Sequence, residues 1–209
     1  MNIYLSDDEQ MHKIKEWIKK NGIIIVIGIT VFFATNFAWR YWHKHNDQLN
    51  SKASILYEQV MIAHLEHNYD EVKIYTQRLQ NDYAKTPYAS LAALISAENA
   101  VTKKDLPVAE QNLQWIIDHG KNTGFKQIAR LRLARVLTEN KQLLSKALAV
   151  LNVVEDKAYL AKIHEAKGDI YLAMGEKNLS LQEYKMAADS IVDNNVAKAI
   201  IDIKINQLL

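Results

Sequence analysis

One unbroken apolar run, residues 22–42 (GIIIVIGITVFFATNFAWRYW), constrains this chain more than any other feature. Its first charge is Arg40, and only Thr30, Thr35 and Asn36 are clearly polar before it. Residues 22–39 are thus 18 positions without a formal charge. At about 1.5 Å per residue they make about 27 Å of helix, near the thickness of a bilayer's hydrocarbon core. No soluble domain of this size has room for such a segment on its surface. The run divides the chain into a short segment, 1–21, and a long one, 43–209.

A cleavable signal peptide has a shorter core followed by a small-x-small site. Here Phe32 and Asn36 occupy the minus-three positions of the candidate sites at Ala34 and Ala38. For a buried core helix, 18 apolar residues with no polar stripe are too long and too uniform. The pattern therefore predicts a single permanent transmembrane helix over 22–42. Trp39, Tyr41 and Trp42 supply an interfacial aromatic belt at one end, with Trp17 a weaker counterpart at the other. Lys13, Lys15, Lys19 and Lys20 flank it on one side, and Arg40, Lys44 and Lys52 on the other. Four against three is a thin positive-inside bias, favouring a cytoplasmic N-terminus. Thr30, Ala34 and Ala38 recur every four residues, a candidate packing face for a second helix, with Asn36 nearby. Small residues are also common in any spanning helix, and the sequence leaves both readings open.

From His43 onward there are 21 Lys+Arg and 20 Asp+Glu. So balanced a charge excludes a polycation built for nucleic acid. Cysteine is absent, so no disulfide framework is needed, which does not by itself choose a compartment. With two prolines and six glycines in 209 residues, the long Ala-, Leu-, Lys-, Glu- and Gln-rich stretches predict an all-helical domain. Its length suffices to bury a sizeable core.

Breakers cut that domain into predicted helix pairs: 51–66 with 70–83, 87–102 with 106–118, 124–139 with 143–154, and 157–173 with 179–191. A closing helix is predicted over 196–208. Thr86 before Pro87, and Asp105 before Leu106 and Pro107, read as capping residues at helix starts. Gly168, Tyr171, Ser180, Tyr184 and Ala187 follow one another at spacings of 3, 9, 4 and 3. This is the tetratricopeptide pattern, with small residues where two helices cross and large ones filling the grooves beside them. Thirty-four residues before Gly168 stands Ala134, with Leu137, Ala147, Leu151 and Val154 as partners. Thirty-seven before that stands Ala97, with Ala100, Ala109, Leu113 and Ile116. The first pair fits poorly, with bulkier residues at its crossing. A non-repetitive bundle is the competing reading. The fold expected is all-α: one transmembrane helix, then a tetratricopeptide-like solenoid of about four helix pairs with a C-terminal capping helix. The capping helix has Ile200, Ile203 and Leu208 on its apolar face, and Lys198, Asp202 and Gln207 on its polar one.

No catalytic constellation is visible. The glycines are scattered, with no phosphate-binding loop, and no serine lies in G-x-S-x-G. A membrane-bound hydrolase is disfavoured for that reason. His64 and His67 share a helical face with Glu66 beside them, yet the spacing fits no zinc motif and no third ligand is evident. They read as solvated polar residues, so no metal is expected. Arg130, Arg132 and Arg135 point in different directions on a helix and read as surface. What remains is protein binding. Solenoids present a concave surface formed by the first helix of each pair. The repeat register places Glu98, Arg135 and Asp169 at equivalent positions facing it.

Several pieces now resemble a known family: IYLSDDEQMHKIKEWIKKNG at 3–22, WRYW at 39–42, ASLAAL at 89–94, LRLARV at 131–136, KGD-x-Y at 167–171 and IKIN-x-L at 203–208. They resemble the YfgM family, described as the ancillary subunit of the bacterial SecYEG translocon. The resemblance covers essentially the whole chain. It implies a bacterial inner-membrane protein with a cytoplasmic N-terminus and a periplasmic repeat domain. It further implies association with a SecYEG-type translocon and a PpiD-type periplasmic chaperone, in assisting newly translocated proteins. No cofactor is implied. The alternative within the same architecture is a structural subunit of another bacterial envelope assembly complex.

Overall fold

The computed structural model describes residues 7–191 and 195–209. Of the predicted segment 1–21, residues 1–6 lie outside the described residues. Every regular element among the described residues is helical. The chain forms two compact units, Met1–Gln48 and Leu49–Leu209.

The first unit belongs to helix α1 (Asp7–Leu65). Its apolar side chains face outward: Ile23 is 79% exposed and Phe37 75%. The hydroxyls of Thr30 and Thr35 donate to the carbonyls of Val26 and Val31 at 2.8 Å, so neither needs water. No single straight helix among the described residues is long and apolar enough to cross a membrane. The apolar run instead falls across a 47° bend between Gln10–Ile24 and Val26–Leu65, and this pair together has the required length and composition. Gly22 and Gly28 flank the bend, where the absence of side chains removes resistance to it.

In the second unit the end of α1 is followed by α2 (Tyr69–Asp82), α3 (Pro87–Thr102), α4 (Leu106–His119), α5 (Thr123–Thr138), α6 (Leu144–Leu151), α7 (Leu160–Ala173), α8 (Lys177–Asp189) and α9 (Asn195–Asn206). Each helix from α2 onward packs on the next, as expected for pairs in series. Asn68, Asp105 and Asn122 accept the amides of Glu71, Val108 and Phe125, supplying partners that the first turn of a helix lacks. Thr86 departs from the expectation. Its hydroxyl donates to the Tyr83 carbonyl at 2.8 Å, which the Thr86 amide also reaches at 2.9 Å, and gives α3 no side-chain cap.

Two predicted boundaries move. The helix expected over 143–154 ends at Leu151, and Val154 lies 41% exposed in the following loop. That loop leaves the helix because the Glu155 amide is held by the Gln127 side chain at 3.0 Å. The helix expected from 157 begins with a 3-10 turn, Lys157–Tyr159, capped by Asp156, before α7.

The first pair proves to be a full repeat. Val60, Ala63, Val72, Thr76 and Leu79 have the 3, 9, 4, 3 spacing, 37 residues ahead of the Ala97 set. All five are buried, none more than 1% exposed. The turns agree. After α1, α3 and α7 the chain passes through left-handed residues His67 (φ 56°), Lys104 (φ 62°) and Gly175 (φ 83°). The next amides, of Asn68, Asp105 and Glu176, then reach back to the carbonyls of Ala63, Ala100 and Tyr171 at 2.8, 2.8 and 2.9 Å.

The bulky Val60 is explained by its counterpart on the second helix. In register, the two crossing positions hold Val60 and Thr76, Ala97 and Leu113, Ala134 and Leu151, Gly168 and Tyr184. As the residue on the first helix shrinks, that on the second grows, so the summed volume is roughly held. The last pair is the extreme. A Cβ on Gly168 would lie 2.5 Å from the Tyr184 ring.

The closing helix is rotated from the expected face. Ile201, 2% exposed, packs with Ile205 and Leu208 against Tyr184, Ala187 and Ala188. Ile200 and Ile203 point outward at 49% and 59% exposure. Isoleucines lie on several sides of α9, so its apolar pattern alone does not set the rotation. Lys204 does, by reaching Glu165 and Asp169 at 3.0 and 2.7 Å.

Two substitutions test these turns and crossings by denaturant unfolding. Gly168→Ala is expected to destabilise the domain by about 1–3 kcal/mol through overpacking. Lys104→Gly relieves a left-handed non-glycine residue and is expected to stabilise by up to about 1 kcal/mol.

Candidate functional site

A groove of about 770 Å³ opens between α3 and α5. Ala97, Leu113 and Val136 line its floor, and Glu98, Lys104, Arg132, Arg135 and Glu139 its rim. Val101 adds an apolar side chain that is 45% exposed. The helices place these residues by simple periodicity. Arg132, Arg135, Val136 and Glu139 fall at i, i+3, i+4 and i+7 on one face of α5, while Ala97, Glu98, Val101 and Thr102 fall at i, i+1, i+4 and i+5 on one side of α3. None of the rim charges forms an ion pair among the described residues. Uncommitted charges of both signs around an apolar floor suit a polypeptide that offers an apolar side chain between charged ones.

The structure thus brings two of the three expected groove residues, Glu98 and Arg135, into one groove. It places the third differently. Asp169 accepts the Lys204 ammonium and the Tyr184 hydroxyl, each at 2.7 Å. In register the first pair contributes Met61 at this position. The row is therefore Met61, Glu98, Arg135 and an Asp169 already engaged by the closing helix.

Around Asp169 the electrostatics are internal. Burial alone raises the Glu165 carboxyl, but hydrogen bonds and charge from Lys162 and Lys204 together hold it below the usual carboxylate range. Burial likewise lowers the Lys204 ammonium, and Asp169 and Glu165 overcome this and raise it. Burial and the Asp169 carboxylate push the Tyr184 phenol well up. The cluster ties α7, α8 and α9 together and leaves little charge to offer a ligand.

Other candidates fall into place. His64 bonds the Asn99 side-chain oxygen at 2.9 Å, while His67 has left the helix at its left-handed turn. No cluster of three His, Asp or Glu side chains able to hold a metal occurs among the described residues. Arg130 is not a surface residue as expected. Its side chain is 11% exposed and pairs with Glu155 at 2.5 Å. Arg132 and Glu139 are groove residues that the repeat register alone misses, although the i, i+3, i+7 spacing with Arg135 carries the signal. Thr30, Ala34 and Ala38 stand exposed on α1, with the Thr30 hydroxyl spent on its own helix.

Helix pairs, crossing residues and turns together have the form of a tetratricopeptide solenoid, and residues 15–209 match the tetratricopeptide repeat-like domain family. The chain belongs to that family. Its relatives are more specific. It is 29% identical over 204 residues to a protein of Aggregatibacter actinomycetemcomitans named ancillary SecYEG translocon subunit, covering 98% of each chain. A Haemophilus influenzae protein of the same name is 27% identical, again over 98% of each chain. One from Escherichia coli is 27% identical, over 100% of this chain and 99% of its own. The resemblance to ancillary translocon subunits read from the sequence is borne out. No solved structure matches the chain.

The Glu165–Asp169–Lys204 cluster has a pH signature. Glu165 is depressed in the folded state, so its contribution is present above the ordinary glutamate range, about 4.3, and is lost as pH falls through its lower folded value. Lys204 is raised, so its contribution fades only above about 10.4. Lys204→Met is expected to lower the melting temperature at neutral pH, with the gap to the native protein closing as pH drops below about 4. Thermal melts across pH 3–8 that show a constant gap would exclude this account of the cluster.

Proposed function

We propose that this chain is a non-enzymatic, membrane-anchored protein-binding scaffold associated with a SecYEG-type protein-export translocon. The observation that carries this reading is the end-to-end match to relatives that are named ancillary SecYEG translocon subunits. The anchor is the apolar helix over 22–42, in a bacterial inner membrane, with 1–21 cytoplasmic and 43–209 periplasmic. Supporting it are the outward-facing apolar side chains, the satisfied hydroxyls and the aromatic belt of Trp39, Tyr41 and Trp42. In the same reading the Thr30–Ala34–Ala38 face docks a partner helix within the bilayer.

The mechanism is tethering. An anchor confines the repeat domain to the membrane surface where translocated chains emerge, raising its effective concentration there without any new contact. The groove of Glu98, Val101, Arg132 and Arg135 then holds a polypeptide, either a client or a PpiD-type periplasmic chaperone. This finer assignment is supported by the family resemblance and the uncommitted groove charges.

Photo-crosslinkers at Ala34 and Arg135 in native membranes are expected to capture translocon subunits and a periplasmic chaperone respectively. Recovery of other envelope-assembly proteins and no translocon subunit would favour the structural-subunit alternative. The double substitution Glu98→Lys/Arg135→Glu is expected to weaken groove binding by about tenfold or more, about 1.4 kcal/mol. Because both side chains are exposed, stability should stay within about 0.5 kcal/mol of the native protein. Unchanged capture by the double variant would remove the groove from the mechanism.

A further inference from the structure

The segment before the bend has a pattern of its own. At about 100° per residue, Met11, Ile14, Trp17 and Ile18 gather within about one third of the helix circumference. Lys13, Lys15, Lys19 and Lys20, with His12 and Glu16, occupy the rest. The apolar face is uncovered: Trp17 is 59% exposed, Met11 55%, Ile14 54% and Ile18 50%. Lys15 borders it on one side and Lys13 on the other. All four lysines are exposed.

Position and direction say what covers this face. Lys20 stands two residues before the apolar run, so the segment begins at the membrane boundary if the run is the anchor. The helix does not continue straight out of that boundary. The 47° bend after Ile24 turns Gln10–Ile24 off the axis of Val26–Leu65. An apolar face bordered by lysines is the complement of an acyl layer under anionic phosphates, since the lysine stems can lie along apolar surface while their ammonium groups reach outward. Trp17 suits the same depth, because its ring is apolar and its N–H polar.

We propose that residues 10–21 form a basic amphipathic helix that lies in the membrane interface and binds an anionic phospholipid surface. It rests on the anchoring reading above. The bend is then the joint between an in-plane helix and the spanning helix, and the spanning part runs from about Val26 to Trp42, about 25 Å.

The test uses the full chain reconstituted into bilayers with acyl chains brominated near the headgroup. One variant, Trp39→Phe/Trp42→Phe/Trp115→Phe, reports on Trp17. A second, Trp17→Phe/Trp42→Phe/Trp115→Phe, reports on Trp39. In phosphatidylglycerol-containing bilayers Trp17 fluorescence is expected to be blue-shifted and quenched. Both effects should be lost in phosphatidylcholine alone and after Lys13→Glu, Lys15→Glu, Lys19→Glu and Lys20→Glu together. Trp17 unquenched beside a quenched Trp39 would overturn the proposal and leave the anchor intact. Trp39 unquenched as well would overturn the anchor and the proposal with it. Trp17 quenched equally in both lipids and after charge reversal would overturn its selectivity for anionic lipid.

Discussion

The structure of the repeat domain depends on how closely two helices of a pair can approach. Helices pack at about 8–10 Å only when the side chains at the crossing leave room. Here that room is shared between two positions, and the sharing differs from pair to pair. Gly168 gives way to Tyr184, Ala97 to Leu113, and Val60 is offset by the small Thr76. Interiors are close-packed, so a crossing cannot hold two large residues or leave two small ones without strain or a void. The recurrent geometry follows from a roughly constant volume and not from a constant residue. Three of the four pairs share a turn with one left-handed residue, at His67, Lys104 and Gly175.

The ends of the solenoid need other solutions, since an end repeat has no neighbour to cover it. The last pair is covered by α9, and the contact is part apolar and part ionic. Ile201 fills the space beside Tyr184, while Lys204 neutralises Glu165 and Asp169. Two neighbouring carboxylates, the Glu165 one 11% exposed, repel each other and are disfavoured without a cation. The cation therefore fixes which of the isoleucine-bearing sides of α9 faces inward. The consequence for binding is direct. Asp169 is engaged by Lys204 and Tyr184, and the unpaired charges lie between α3 and α5, at Glu98, Arg132, Arg135 and Glu139.

The proposed anchor and the proposed groove divide the work. An apolar helix whose threonine hydroxyls are spent on its own backbone confers location, and a groove with an apolar floor and unpaired rim charges confers choice of polypeptide. Among the described residues no cluster of three His, Asp or Glu side chains able to hold a metal lies in either part. The relatives share the name ancillary SecYEG translocon subunit.

Much of this was legible in the residues. Apolar run, helix pairs, repeat spacing and the Glu98–Arg135 row all follow from periodicity, because side-chain direction along a helix is fixed by its pitch. The sequence by itself determined that the chain is helical, repetitive and apolar near its N-terminus. Three matters were decided only by tertiary structure. Val60 looked too large for a crossing until Thr76 stood opposite it in register, since packing volume belongs to a pair of positions 16 residues apart. The face of α9 was ambiguous because isoleucines lie on several of its sides, and an ion pair spanning 35 residues, from Lys204 to Asp169, selected one. Arg130 and Arg135, five residues apart on one helix, parted into a buried ion pair and an open groove because only one of them has Glu155 within reach. In each case the deciding partner is distant in sequence, and local pattern carries no record of it.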